Sequence, residues 1–355
     1  MIRHRIHTGI SSALTAAALF GASTPLAKLL VGTVAPVMLA GLLYLGAGVC
    51  LLAWFMWRHT RPSGRDMGEA TLARGDWGWL AGAILAGGII GPVLLMQGLL
   101  RTAAASASLL LNFEGVLTAL LAWWVFRENV DRRIAAGMGM IVAGGALVSW
   151  QGQAHALVAP GPLLIVGACL AWAIDNNLTR KISAGDPVQI AGFKGLAAGL
   201  TNASIALALG DHFPAAPITL AAGVVGALGY GLSLVLFVVA LRHLGSARTG
   251  AYFSTAPFLG AAISLVLLRE PLGPLFWPAA GLMALGVWLH LTERHEHLHE
   301  HEPQAHAHPH VHDAHHQHAH DFPWDGAKRH THFHVHGPLV HSHPHYPDIH
   351  HRHPH

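Results

Sequence analysis

Charge is scarce in this sequence: Asp, Glu, Lys and Arg make up 11% of 355 residues, where a soluble domain carries roughly a quarter. With 52% hydrophobic residues, that scarcity excludes a soluble globular fold for most of the chain. Cysteine is nearly absent. Cys50 and Cys169 both fall in apolar stretches without paired spacing, so neither a disulfide framework nor a cysteine-metal site is indicated. Catalytic signatures are missing as well. No Gly-x-x-x-x-Gly-Lys-Ser/Thr loop is present, which argues against an ATP-driven pump within this chain, and within residues 1–292 neither an HExxH pair nor a GxSxG elbow points to an enzyme. Histidine is missing from the middle of the apolar runs, because His4, His7, His59, His155, His212, His243 and His290 all lie at ends or in loops.

What is present divides sharply. Residues 1–292 are apolar and carry 17 Lys/Arg against 10 Asp/Glu, whereas residues 293–355 carry 4 against 8 and hold 23 of the 30 histidines. Apolar runs near the roughly 20 residues needed to cross a bilayer occur at about 10–31, 34–57, 77–100, 103–126, 134–150, 161–182, 187–209, 218–241, 246–268 and 274–292. The predicted fold is therefore an all-α membrane protein of ten transmembrane helices.

The first run follows Met1-Ile2-Arg3-His4-Arg5 and on its own reads equally as a signal peptide. An internal repeat argues that it is retained. Phe20–Leu30 lines up with Trp172–Ile182, pairing Leu26 with Leu178 and Lys28 with Arg180, and after a one-residue slip Pro36–Gly41 falls on Pro187–Gly192. Asn112 through Glu128 aligns without gaps on Ser254 through Glu270. Residues 10–150 and 161–292 thus read as two five-helix repeats. An odd number of spans per repeat inverts the second copy, as in many secondary transporters.

Basic residues collect on the cytoplasmic side of membrane helices. With the N-terminus inside, the cytoplasmic connections hold Arg58, Arg61, Arg65 and Arg74, then Arg127, Arg132 and Arg133, then Arg180 and Lys181, then Arg242 and Arg248. The outer connections hold only Arg101 and Arg269. Both termini are then expected in the cytoplasm, with the protein in a bacterial inner membrane.

Ten spans in two inverted halves, each with a fourth helix ending in Glu, resemble the EamA-type members of the drug/metabolite transporter superfamily. The family's fourth-helix pattern, Leu-Glu-Pro leading to Gly-Glu, stands here as Phe113-Glu114-Gly115 leading to Arg127-Glu128, and as Thr255-Ala256-Pro257 leading to Arg269-Glu270. The first copy has Gly for Pro, the second Ala for Glu, and both put Arg before the terminal Glu. The resemblance implies export or exchange of metabolites or drug-like compounds.

An ionisable residue deep in a membrane helix costs of order 2.5 kcal/mol or more and defaults to a functional hypothesis. Glu114, Asp175 and Lys194 are of this kind, and their repeat counterparts Ala256, Ser23 and Leu43 are neutral. Either they face a central cavity, binding substrate or a coupling proton, or Asp175 and Lys194 form a structural ion pair while Glu114 bonds a neighbouring helix. Asn112, Gln97, Asn176 and Asn177 are candidates to orient a polar substrate, or else join helices by hydrogen bonds. Trp172, equivalent to Phe20, is a candidate cavity residue or packing element. Lys28 reaches the interface by snorkelling on this reading.

The tail alternates histidine with other residues: His295, His297, His299 and His301, then His306, His308, His310 and His312, then His330, His332, His334 and His336, then His341, His343 and His345. In an extended chain each set lines one side, and imidazole suits Zn, Ni, Co and Cu. Polar composition and seven prolines predict disorder in residues 293–355 without metal. A pH-sensing tail is the competing reading, because unperturbed imidazole titrates near 6.5.

The expected function is a secondary transporter of a small organic metabolite or drug-like compound. The alternatives are a divalent-metal transporter fed by the tail and a non-transporting membrane sensor. Expected partners are membrane lipids, the substrate and Zn, Ni or Co ions at the tail, with no nucleic acid, no required cofactor and a homodimer left open.

Overall fold

The computed structural model describes residues 2–60, 76–126, 132–150, 160–180, 187–244, 246–291, 296–301, 304–310, 330–336 and 339–344. Contacts divide the chain into two units, Met1–Glu293 and Arg294–His355.

The first unit is helical. It runs α1 (Ile2–Val31), α2 (Pro36–His59), α3 (Asp76–Ala83), a π-helical segment (Ile84–Ile90), α4 (Gly91–Leu99), α5 (Ala104–Leu110), α6 (Phe113–Phe126), α7 (Arg132–Ser149), α8 (Pro160–Arg180) and α9 (Pro187–Ala208). It continues with α10 (Ala216–Gly226), a second π segment (Ala227–Leu232), α11 (Ser233–Leu244), α12 (Ser246–Phe253), α13 (Ala256–Leu268) and α14 (Phe276–Leu291). Several helices open on or beside proline: Pro36, Pro160, Pro187, Pro217 and Pro257 occupy first-turn positions, where the missing N–H costs no helical bond.

Seven helical stretches among the described residues are long and apolar enough to cross a membrane, and Ala256–Leu268 and Phe276–Leu289 are shorter apolar helices. Large apolar side chains lie on the outside of the bundle, including Leu163, Leu170, Leu200 and Leu220. Exposed tryptophans gather toward the helix ends, at Trp54, Trp57, Trp77, Trp79, Trp123, Trp124, Trp150, Trp277 and Trp288, as in the aromatic belts of membrane proteins. The chain is a multi-pass membrane protein.

Packing inside the bundle relies on small residues. Along the α2–α9 seam a Cβ added to Gly48 would lie 2.5 Å from Leu196 N, one on Gly199 2.6 Å from Leu45 N, and one on Gly41 2.8 Å from Ala203 N. The two backbones touch directly, which gives van der Waals contact without side-chain ordering. Around this seam Met38, Leu39, Leu43, Leu95, Leu99, Leu110 and Ile165 form the main apolar core.

Two of the predicted spans are not continuous. The run at 103–126 breaks at Leu111–Asn112 between α5 and α6, and the run at 246–268 breaks at Ser254–Thr255 between α12 and α13. Irregular backbone at membrane depth is tolerated where protein surrounds it, and local side chains reinforce its turns: Asn112 Nδ2 donates to Leu109 O at 2.8 Å and Thr255 Oγ1 to Tyr252 O at 2.6 Å.

The second unit holds four short strands among the described residues. Strand β1 (Glu296–His301) pairs antiparallel with β4 (Leu339–Pro344), and β2 (Gln304–His310) with β3 (His330–His336). The every-other-residue spacing that aligns the histidines is also the strand period. Two-stranded ladders consist of edges only, where Pro309 and Pro344 are tolerated. The register sets His297 opposite His343, His299 opposite His341, His306 opposite His334, His308 opposite His332 and His310 opposite His330. His295, His312 and His345 lie outside the described residues, as do Arg127 and Glu128.

Candidate functional site

The charged residues singled out within the apolar runs meet between α6, α8 and α9. Lys194 on α9 donates to both carboxylate oxygens of Asp175 on α8, each at 2.5 Å, and the two side chains are 16% and 8% exposed. Thr179, one turn along α8, adds a hydrogen bond to Asp175 Oδ1 at 2.9 Å. The next residue, Asn176, donates to Glu114 Oε1 on α6 at 2.9 Å and to Thr118 Oγ1 at 3.4 Å. Glu114 lies just past the break between α5 and α6.

Asn176 is exposed although it is polar. On a helix of 3.6 residues per turn it lies on the side away from the outward stripe of Leu163, Leu170 and Ile174. The amide and its Glu114 partner therefore open toward the interior of the bundle and not toward lipid.

The first π segment shapes the floor of this constellation. A π turn bonds i to i+5 and leaves carbonyls available to outside donors. Tyr44 Oη and Trp172 Nε1 both donate to Gly87 O, at 2.8 and 3.0 Å, and Asn202 Nδ2 donates to Gly88 O at 3.0 Å. A Cβ on Gly87 would lie 1.9 Å from Asp175 Oδ2, so only glycine lets the carboxylate sit there. Asn202 is fully buried, and its Oδ1 accepts no hydrogen bond among the described residues.

Of the residues proposed from sequence, Glu114, Asp175, Asn176, Lys194 and Trp172 come together here. Asn177 bonds mainly along its own helix, to Ala173 O at 2.8 Å, and reaches Thr118 O at 3.5 Å. Asn112 serves the helix break, and Gln97 is half-buried on α4. Tyr44, Thr118, Thr179, Gly87 and Asn202 escaped the sequence reading, since none is charged and their partners lie on other helices. Cys50 and Cys169 are free. No group of three His, Cys, Asp or Glu is placed to hold a metal ion among the described residues.

Lys28 departs from the snorkelling expectation. It donates to Leu99 O and to Thr102 O, and its Nζ lies 4.0 Å from Glu270 Oε1. The end of α4 leaves carbonyls without helical partners, and these meet the ammonium at this end of the bundle.

A family model described as the EamA-like transporter family matches the chain twice, over residues 7–150 and 159–292. The chain belongs to that family. Among curated relatives of this EamA-like protein, an uncharacterized transporter of Methanothermobacter thermautotrophicus is 28% identical over 296 residues, covering 79% of this chain and 85% of the relative. The probable 4-amino-4-deoxy-L-arabinose-phosphoundecaprenol flippase subunit ArnE of Pseudomonas paraeruginosa is 40% identical over 117 residues, 33% of this chain and 97% of the relative. A solved crystal structure shares the fold at a TM-score of 0.57 and 19% identity, covering 79% of this chain and 95% of the other.

Proposed function

We propose that this EamA-like protein is a secondary transporter of a small organic molecule bearing an amine, working by alternating access between two inverted five-helix halves. The observation that carries the reading is the Glu114–Asn176 pair, open to the bundle interior beside the neutralised Asp175–Lys194 pair. Lys194 offsets Asp175, so Glu114 contributes the net negative charge that an ammonium group would meet. Discontinuous helices commonly build such midplane sites, and Glu114 follows one of the two breaks. The ArnE relatives are named for an amino sugar carried on a lipid phosphate, which is consistent with recognition of an amine.

The inverted plan draws support from mirrored local geometry. The register that aligns Asn112 with Ser254 also aligns Gly87 with Gly229, and the two helix breaks and the two π segments match in it to within one residue. A Cβ on Gly229 would lie 2.6 Å from Ser23 Cβ, and Ser23 is the counterpart of Asp175. An ArnE relative of about the length of one family match is in keeping with a half that is a unit. In this plan the basic connections face the cytoplasm and both termini lie inside a bacterial inner membrane.

We assign the tail an accessory role, uptake of divalent transition-metal ions by histidines that are backbone partners in the strand register. Translocation itself needs ligands within the membrane, and the carboxylates and amides around Glu114 suit an organic amine better than Zn, Ni or Co.

Proteoliposomes loaded with amino sugars, organic cations and zwitterions, with and without residues 293–355, test the proposal. Amine-dependent transport that survives removal of the tail is expected. Transport that is lost with the tail, or is indifferent to the amine, would refute it.

A further inference from the structure

A second charged cluster lies at the end of the bundle where α1 and α4 finish. Lys28, in the last turn of α1, donates to the carbonyls of Leu99 and Thr102 in the link between α4 and α5. Those bonds stay within the first half. Glu270, which follows α13 in the second half, reaches across with both of its oxygens. Its Oε1 faces Lys28 Nζ at 4.0 Å, and its Oε2 accepts the Ala104 backbone N–H at 2.6 Å. The preceding residue, Arg269, has φ of 51°, the left-handed conformation that closes a helix and is costly for a residue other than glycine. That turn directs Glu270 back toward α5.

We propose that Lys28 and Glu270 form an ion-pair latch holding this outer end closed, and that Glu270 is the part that moves, releasing once in each transport cycle. The proposal rests on the alternating-access reading above. In that cycle the halves must part at the outer end, and both contacts of Glu270 cross between them. Lys28 keeps its carbonyl partners when Glu270 leaves, so neither state strands the ammonium in a low dielectric. The pair is 21% and 23% exposed, wet enough for Glu270 to exchange Lys28 for water. A deeply buried pair would pay a large desolvation cost at each opening, whereas this placement suits a contact that is made and broken repeatedly.

The test reads opening without substrate, so a failed transport screen leaves it intact and intact transport does not rescue it. In a Cys50→Ser/Cys169→Ser background, Ser108→Cys reports on the outer end: Ser108 is 1% exposed, on α5 one turn beyond Ala104, and packs against Gly260 of α13. Ala240→Cys, fully buried on α11 near the opposite end, reports on general loosening. Purified full-length protein in detergent is treated with a maleimide. The expected result is labelling of Ser108→Cys about tenfold faster with Glu270→Ala, and less accelerated with Glu270→Gln, which keeps an acceptor for Ala104, while labelling of Ala240→Cys does not rise. Parental labelling rates at Ser108→Cys in both Glu270 variants would overturn the latch. A rise at both ends would overturn it too, because it would make Glu270 a general stabiliser of the fold.

Discussion

Separating Asp175 from Lys194 by substitution measures how much of the site depends on their pairing. Lys194 makes both of its hydrogen bonds to Asp175, whereas Asp175 keeps the Thr179 hydroxyl when Lys194 is lost. Both groups are well buried, so solvent screens a stranded charge poorly, and removing one member of such a pair costs about 3–5 kcal/mol. Asp175→Asn and Lys194→Met should therefore each destabilise the protein by about 3–5 kcal/mol. The double variant should lie within about 1 kcal/mol of the parent, since neutral replacements for a buried pair are often tolerated. Thermal denaturation of all four proteins in detergent at pH 7.4 reads the coupling. Additive losses in the double variant would refute the pairing argument.

Glu114→Gln keeps shape and the Asn176 contact but removes the charge, so amine transport in proteoliposomes should fall by at least tenfold while the protein remains monodisperse on size exclusion; unchanged transport would remove Glu114 from the site. Gly87→Ala inserts a methyl group where the Asp175 carboxylate sits. Such overpacking costs about 1–3 kcal/mol, and a thermal midpoint equal to the parent's would contradict the contact. The isolated peptide 293–355 should bind Zn, Ni and Co at pH 7.5 by calorimetry and lose most of that binding at pH 5, where protons hold the imidazole nitrogens; equal binding at both pH values would refute imidazole ligation.

Charges within apolar runs made part of the site legible from sequence. Glu114, Asp175 and Lys194 stand out because burying an ionisable group in a membrane helix is costly, and the alternative pairing weighed for Asp175 and Lys194 is the one found. Helix breaks and π segments were not visible. Their residues are ordinary apolar and small ones, and the donors that satisfy the freed carbonyls, Tyr44, Trp172 and Asn202, come from other helices. The partners of Lys28 were not visible for a related reason. A lysine near a helix end ordinarily reaches water, and only the fold reveals that carbonyls of the α4–α5 link and a carboxylate from after α13 meet it first. The tail was legible in composition and not in pairing, because strand register depends on partners twenty or more residues away.

The first π segment also bears on how this helix tolerates changes in length. Because a π turn holds one residue more than an α turn, deleting a single residue within Ile84–Ile90 could be absorbed by regularising the helix, leaving α4 facing the same way. With the deletion placed before Gly87, the regularised backbone would give the Gly87 carbonyl to the Gly91 N–H, however, and Tyr44 on α2 and Trp172 on α8 would lose their acceptor together, while Pro92 offers no N–H to Gly88. A shortened chain of this kind would be expected to insert and fold with its helices in place while losing the tie that holds those two helices to α3–α4.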